Sequence, residues 1–367
     1  MEHKANAAKT SVVLLGPALG AVSGVSTHLN QLLSSALADE FSLHHFQVGR
    51  EGREESRMAR AGRFLVSPLA FARFLSRTGP AIVHLNTSIN QRAFWRDLAY
   101  LFVARAMRRR TVYQVHGGDL PEVFAGGNTV LKALMRWVLG LPQAIVLLAQ
   151  SEATAYRNFV PAARVETIPN AIDLMPSERV ASRAPSNAPL RIIYVGRLIR
   201  AKGIFEILQA VREVQDRGIA VKVTIAGDGP DAAALQASAS QLGIDGNVRF
   251  VGALFGEDKS RLWAEADVFA FPTFHPEGLP YALLESMAFG VVPISSKVGA
   301  IPDVMEDGVH GLLVPAKDPQ ALADAICRLD SDRVELERMS RSGQERIREH
   351  YTLAIMARAF QALYETL

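Results

Sequence analysis

A chain of 367 residues, 49% of them hydrophobic, holds enough apolar material for two ordinary α/β domains. Its single cysteine, Cys327, excludes an internal disulfide framework, and the helical pattern around it suggests a buried small residue rather than a reactive thiol. The net charge of +3 is unevenly divided: residues 1–175 carry 19 Lys and Arg against 12 Asp and Glu, a net of +7, and the rest carry 21 against 25, a net of −4.

Lys4 and Lys9 ahead of the apolar stretch Val12 to Val22 imitate a secretory signal, but Gly16, Pro17 and Gly20 interrupt it and no small-residue cleavage site follows. The stretch reads instead as a first strand, Ser11 to Leu15, with a glycine loop after it. No apolar run reaches the roughly 18 residues of a membrane span, so the expected location is cytoplasmic. Further strand-like runs lie near 43–48, 81–85, 111–115, 143–149 and 164–168, then near 191–195, 220–226, 248–251, 267–271, 291–295 and 311–314. Helical patterns alternate with them, which predicts an α/β protein with parallel sheets and crossover helices. A polar, proline-rich interval from Met175 to Pro189 reads as a linker between the two sets. The last pattern, Thr352 to Leu367, is a helix. No repeats or low-complexity tracts appear.

Two basic segments stand in the first half. One runs from Arg50 to Arg77 with Phe64, Leu65, Phe71 and Phe74 interleaved. It has the composition of an interfacial surface meeting anionic lipid, so a membrane surface is an expected partner and a peripheral position on the cytoplasmic face an expected refinement of the location. The other is Arg105, Arg108, Arg109 and Arg110, where cations suit a helix C-terminus. No nucleic-acid motif is present. Gly16, Gly20 and Gly24 are too widely spaced for a dinucleotide fingerprint, and no phosphate-binding Walker sequence occurs.

His116 ends the strand Thr111 to Val115 and opens His116-Gly117-Gly118-Asp119; a structural histidine is the bland alternative, and Asp119 suits a loop cap as well as a ligand. Arg197 and Lys202 follow the apolar run Arg191 to Val195 and Gly196, which places them at the carboxyl end of a buried strand, where open α/β sheets bind ligands. Two cations there suit a diphosphate without metal.

The segment Pro276-Glu277-Gly278-Leu279-Pro280-Tyr281-Ala282-Leu283-Leu284-Glu285 is the most informative. Pro280 suits the first helical position. That leaves Glu277 in the loop before the helix and Glu285 about five residues inside it. Between them the helix N-terminus offers N–H groups and partial positive charge to a phosphate, with Gly278, Leu279, Pro280 and Tyr281 as the cradle. A carboxylate on each side suits a ligand with hydroxyls at both ends, such as a nucleotide sugar: Glu285 for ribose and Glu277 for the donor sugar. Asp330-Ser331-Asp332 follows a helical pattern, not a buried strand, and reads as a solvated helix end instead of a metal site.

The segments from Gly196 to Gly203 and from Phe274 to Gly290 resemble those of the retaining family 4 glycosyltransferases. Pro169 to Asp173, Gly227-Asp228-Gly229-Pro230 and His310 to Val314 fit the same pattern in the same order. The resemblance implies the GT-B fold: two Rossmann-like domains with parallel sheets facing across a cleft. Residues 1–175 would bind acceptor, residues 176–189 would link, residues 190–351 would bind the nucleotide sugar, and the helix 352–367 would return to the first domain. It also implies a donor site that includes Gly196, Asp228 and Gly24, with His116 near the reacting centre. Ser23-Gly24-Val25-Ser26-Thr27-His28 resembles the family's Gly-Gly-x3-His loop, although Ser23 stands where its first glycine would be. The implied reaction is retaining, metal-independent and without cofactor. Sugar would pass from a UDP- or GDP-linked donor to a glycan or polyprenyl-linked acceptor in cell-surface polysaccharide synthesis. The leaving phosphate would take the acceptor proton. The rivals are a sugar nucleotide epimerase or phosphorylase of the same fold, and a catalytically silent partner that binds nucleotide sugar.

Overall fold

The computed structural model describes residues 9–49, 57–174 and 188–367. Among these residues all twelve expected strands are present, in two six-stranded parallel sheets. The chain divides into two units, Met1–Ala171 with Leu353–Leu367, and Ile172–Thr352. The interval expected as a linker lies, up to residue 187, outside the described residues.

The first unit contains β1 (Ser11–Gly16), α1 (Gly24–Ser34), α2 (Leu37–Glu40), β2 (Ser42–Gln47), α3 (Arg57–Thr78), β3 (Ile82–Ile89) and α4 (Gln91–Ala106). It continues with β4 (Arg110–Gly118), α5 (Pro121–Ala125), α6 (Thr129–Leu139), β5 (Ala144–Leu147), α7 (Gln150–Phe159) and β6 (Val165–Thr167). Its sheet runs β2-β1-β3-β4-β5-β6. Alternation along the strands sends side chains to opposite faces. Val13, Leu15, Val83, Leu85, Tyr113, Ile145 and Leu147 join Phe71, Phe94, Leu101, Met135 and Tyr156 of α3, α4, α6 and α7. Val12, Leu14, Ile82, Val112 and Val146 join Leu29 and Leu32 of α1 on the other face. The C-terminal helix, Leu353–Glu365, completes that second face with Met356, Ala357, Phe360, Leu363 and Tyr364, a stripe at helical spacing.

The second unit holds β7 (Leu190–Val195), α8 (Ile204–Asp216), β8 (Val221–Ala226), α9 (Ala232–Gln241), β9 (Val248–Gly252), α10 (Gly256–Glu265) and β10 (Val268–Phe271). After these come α11 (Tyr281–Ala288), β11 (Val292–Ser296), α12 (Ile301–Val304), β12 (Leu312–Val314), α13 (Pro319–Ser331) and α14 (Arg333–His350), ahead of the C-terminal helix α15. The order β12-β11-β10-β7-β8-β9 is the doubly wound arrangement, and the strand order reverses between β7 and β10, which pair in parallel.

Several local expectations are corrected. Pro280 is the N-cap, with ψ 126°, and the helix starts at Tyr281, because an extended ψ takes the proline out of the first turn. Ser23 to His28 is not a loop: Ser23 caps α1, its hydroxyl accepting from the Ser26 N–H at 3.2 Å, and Gly24 to His28 are helical. Phe71 is fully buried and Phe74 packs against the same core, so these two rings of the first basic segment face inward. Arg50 and Arg53 of that segment, and the side chains of Phe64 and Leu65, lie outside what is described. Cys327 is half-buried, its sulfur 3.6 Å from Nη1 of Arg217, rather than a core residue. No helix among the described residues is long and apolar enough to cross a membrane.

Candidate functional site

The reversal between β7 and β10 leaves a crevice beyond the carboxyl ends of these strands, because successive connections depart on opposite sides of the sheet. Beyond β7 the chain is stitched to the loop after β8: Gly196 N–H donates to the Ala226 carbonyl at 3.0 Å and Leu198 N–H to the Asp228 carbonyl at 2.9 Å. The exposed Asp228 turns one carboxylate oxygen onto the Gly229 N–H at 2.7 Å, so it shapes this loop. A single 3₁₀ turn, Arg200–Lys202, then leads to Gly203 at φ 78°, the left-handed conformation that favours glycine. A Cβ at Gly203 would stand 2.2 Å from the Pro272 carbonyl oxygen. That close approach brings the entry of α8 against the chain leaving β10.

Lys202 and Glu277 meet across this approach. Nζ lies 2.5 Å from Oε1, and the two side chains are 14% and 9% exposed. The Thr273 hydroxyl donates to the same oxygen at 2.9 Å. Oε2 of Glu277 accepts no hydrogen bond among the described residues, which leaves an oriented acceptor. The ammonium also stands 5.2 Å from the centre of the Phe271 ring. Arg197 is exposed, with its carbonyl accepting from the Tyr194 hydroxyl at 3.0 Å. His275 reports how these charges converge. Burial lowers its pKa most, Lys202 and Arg197 lower it further, and Glu277 opposes them. Its Nδ1 donates to the Pro276 carbonyl at 3.2 Å, so the second ring nitrogen carries the lone pair. Burial, and next the Glu277 charge, raise the Tyr194 pKa and keep that phenol neutral.

Glu285 lies on α11 as expected, but it is held from another element. Lys259 of α10 approaches Oε1 at 2.7 Å, and Trp263 Nε1 donates to Oε2 at 3.2 Å. The two glutamates thus differ: Glu277 keeps one oxygen open, and Glu285 has a contact on each. Gly278 and Leu279 are buried and Tyr281 half-buried at the start of α11, where no side chain caps the first turn. Thr273, His275, Lys259 and Trp263 were missed in the sequence. Thr273 had a local signal, lying two residues past the end of β10 in the loop that leads to Glu277. Lys259 and Trp263 had none, since their partner is remote along the chain.

Gly24 and His116 belong to the first unit. His116 pairs through Nε2 with the Asn86 amide oxygen at 2.9 Å, and its Nδ1 is buried without a partner. The amide oxygen can only accept, so the proton sits on Nε2 and Nδ1 holds the lone pair. The His28 ring lies 4.7 Å from it at 64°. Burial, first, and then the neighbouring His28 and His84 charges keep His116 well below the ordinary histidine range.

A cavity of about 440 Å³ in the second unit is lined by Lys297, Asp303, Glu306, His310 and Arg346 among others, none of them a predicted site residue. Its size does not make it the site; the convergent charges lie at the strand ends. Among the described residues no cluster of three His, Cys, Asp or Glu is placed to hold a metal. Asp332 caps α14, accepting from the Glu335 N–H at 2.8 Å, and Asp330 pairs with Arg333.

Residues 178–346 match the family model described as glycosyl transferases group 1, and residues 22–175 match glycosyltransferase family 4. The chain is 26% identical over 98% of its length, and 86% of the relative's, to the amylovoran biosynthesis glycosyltransferase AmsK of Erwinia amylovora. It is 31% identical to the putative colanic acid biosynthesis glycosyltransferase WcaL of Escherichia coli, over half of this chain and 47% of that one. In fold it is similar to sucrose-phosphate synthase of Thermosynechococcus elongatus, with TM-score 0.79, 19% identity and coverage of 98% and 99% of the two chains. It is also similar to Anabaena HepE in complex with UDP-glucose, with TM-score 0.74, 16% identity and coverage of 97% and 100%. The two family models abut near residue 176 and together span most of the sequence, and the chain belongs to the family 4 glycosyltransferases of GT-B fold.

Proposed function

We propose that this glycosyltransferase is retaining and metal-independent, and moves a sugar from a nucleotide diphosphate donor to a glycan or polyprenyl-linked acceptor in cell-surface polysaccharide synthesis. It works at the cytoplasmic face of the membrane. The second unit holds the donor and the first the acceptor. Arg197, Lys202 and the start of α11, from Gly278 to Tyr281, hold the diphosphate, with Gly196 and Asp228 shaping the loops beside it. Glu277 accepts from a hydroxyl of the donor sugar and Glu285 from ribose. Within the first unit, Gly24 and His116 are assigned as ligand-contacting residues, His116 through its neutral Nδ1. As the glycosidic bond breaks, negative charge grows on the leaving diphosphate, so the two cations bind the transition state more tightly than the donor. That phosphate takes the acceptor proton as the acceptor attacks from the same face.

One observation carries this reading: the Lys202–Glu277 pair at the sheet reversal, with an uncommitted carboxylate oxygen. A partly buried ion pair is a poor source of stability, whereas it suits a site that must present a cation to phosphate and an acceptor to a hydroxyl. Relatives named for amylovoran, colanic acid and teichuronic acid biosynthesis support the polysaccharide assignment. HepE complexes with UDP and UDP-glucose support a nucleotide-sugar donor. A thermal-shift panel of uridine, guanosine and adenosine diphosphates and their sugars tests the donor, since a ligand at 100 times its Kd adds ~2.7 kcal/mol. NMR of the product then tests retention of anomeric configuration. Donor turnover that needs no acceptor, or an inverted product, overturns the reading.

A further inference from the structure

The outward sides of α3, α4 and α6, which together cover one face of the first sheet, are not the polar surfaces that ordinary outer helices present. Phe102 of α4 and Trp137 of α6 pack ring to ring at 5.6 Å while 38% and 55% exposed. Trp95, two turns before Phe102 on the same side of α4, is 42% exposed, and Leu69 of α3 is 65% exposed. Exposed cations stand on the same helices: Arg92 and Arg105 on α4, each three residues along the chain from Trp95 or Phe102, and Arg73 and Arg77 on α3. The sole carboxylate across the three helices is Asp97, which is buried and held by Arg96 at 2.6 Å and by the Thr87 hydroxyl. Large rings, which have an apolar body, are therefore presented beside positive charge with no exposed acid among them.

We propose that this three-helix face docks on an anionic lipid surface, with Trp95, Phe102 and Trp137 seated at headgroup level and the arginines on lipid phosphates. Aromatic rings and arginine are the pairing that interfacial helices use, and each exposed cation near an anionic leaflet adds its own attraction. The charge pattern disfavours a second copy of the chain as occupant, because a two-fold contact would set one arginine group against its equivalent. The proposal deepens the lipid-linked acceptor reading and rests on it. It also relocates the membrane contact from the inward-facing Phe71 and Phe74 to rings that are open to solvent.

The test is co-sedimentation of the full chain with vesicles of phosphatidylcholine alone, or of equal parts phosphatidylcholine and phosphatidylglycerol. The expected result is binding to the anionic vesicles at low salt, release at high salt, and little binding to the neutral ones. The double variant Phe102→Ser with Trp137→Ser should lower the partition coefficient about tenfold or more, and Arg92→Glu with Arg105→Glu should do the same by charge alone. Both should keep the thermal transition of the wild type and its affinity for nucleoside diphosphate. Equal vesicle binding by wild type and both variants overturns the proposal. So does a wild type that ignores anionic vesicles, or a wild-type dimer that the aromatic double variant makes monomeric. Failure of nucleotide binding in every protein strikes the donor reading and leaves the vesicle result to stand by itself.

Discussion

Lys202 and Glu277 fix each other's position at 2.5 Å, and Thr273 fixes which carboxylate oxygen stays open. Lys202→Ala should lower kcat/KM by about a hundredfold, or ~3 kcal/mol, through the loss of a charge that matters most in the transition state. Steady-state kinetics with saturating acceptor measures it. Lys259 acts differently, through Glu285. Lys259→Met should raise the donor KM with kcat nearly unchanged and weaken the preference for a ribose over a 2′-deoxyribose donor, and Lys259→Arg should restore both. A kcat loss as large as that of Lys202→Ala would place Lys259 at the reacting centre instead. The places of Arg197, Lys202, Glu277 and Glu285 in the fold were legible because each sits at a fixed offset from a strand or helix end. Lys259 and Trp263 were not, since a contact between α10 and α11 leaves no local pattern.

At the scale of elements, the twelve strands were readable from apolar runs, whereas the ends of α1 and α11 were not. Ser23 reads as a lost glycine until the helix it caps is seen, and Pro280 is compatible with two adjacent positions that differ only in ψ. Gly203 is where the packing of elements and the site depend on one residue. Gly203→Ala puts a side chain in the left-handed region and a Cβ against the backbone oxygen of Pro272. The expected cost is ~2–4 kcal/mol, combining backbone and overpacking strain. Urea denaturation should show a lower midpoint, with donor affinity lost before the fold is. A second prediction concerns β3, β4, α1 and the C-terminal helix, which meet around buried histidines. Burial lowers His28 to about 4 and His84 to about 3, and His84 Nδ1 pairs with the Tyr364 hydroxyl at 2.6 Å. In the unfolded chain both titrate near 6.5, so the unfolded state binds more protons below that pH. Their contribution is complete above pH 6.5 and is lost as pH falls toward 4 and 3. The thermal midpoint should therefore drop between pH 6.5 and 4.5, and His28→Gln should flatten the slope even if it lowers the midpoint overall. An unchanged slope would show that these rings are not the proton-binding groups.

For the whole molecule, the sequence pattern revealed two α/β halves, but the return of the last helix to the first one was implied only by resemblance. The physical reason for that return is now visible. Met356, Ala357, Phe360, Leu363 and Tyr364 are buried against the second face of the first sheet. Burial of the larger ones is worth ~1.5–3 kcal/mol each, a sum comparable to the stability of an entire domain, ~5–15 kcal/mol. Truncation after Thr352 should abolish cooperative unfolding of the first unit and leave that of the second, as read by calorimetry.

The donor account as a whole is tested most directly by isothermal titration of nucleoside diphosphates and the matching monophosphates into wild type, Arg197→Ala and Lys202→Ala. The account predicts that wild type binds the diphosphate of one base at least tenfold more tightly than its monophosphate, and that each substitution removes most of that difference while monophosphate affinity stays. Equal diphosphate affinity in all three proteins would contradict it.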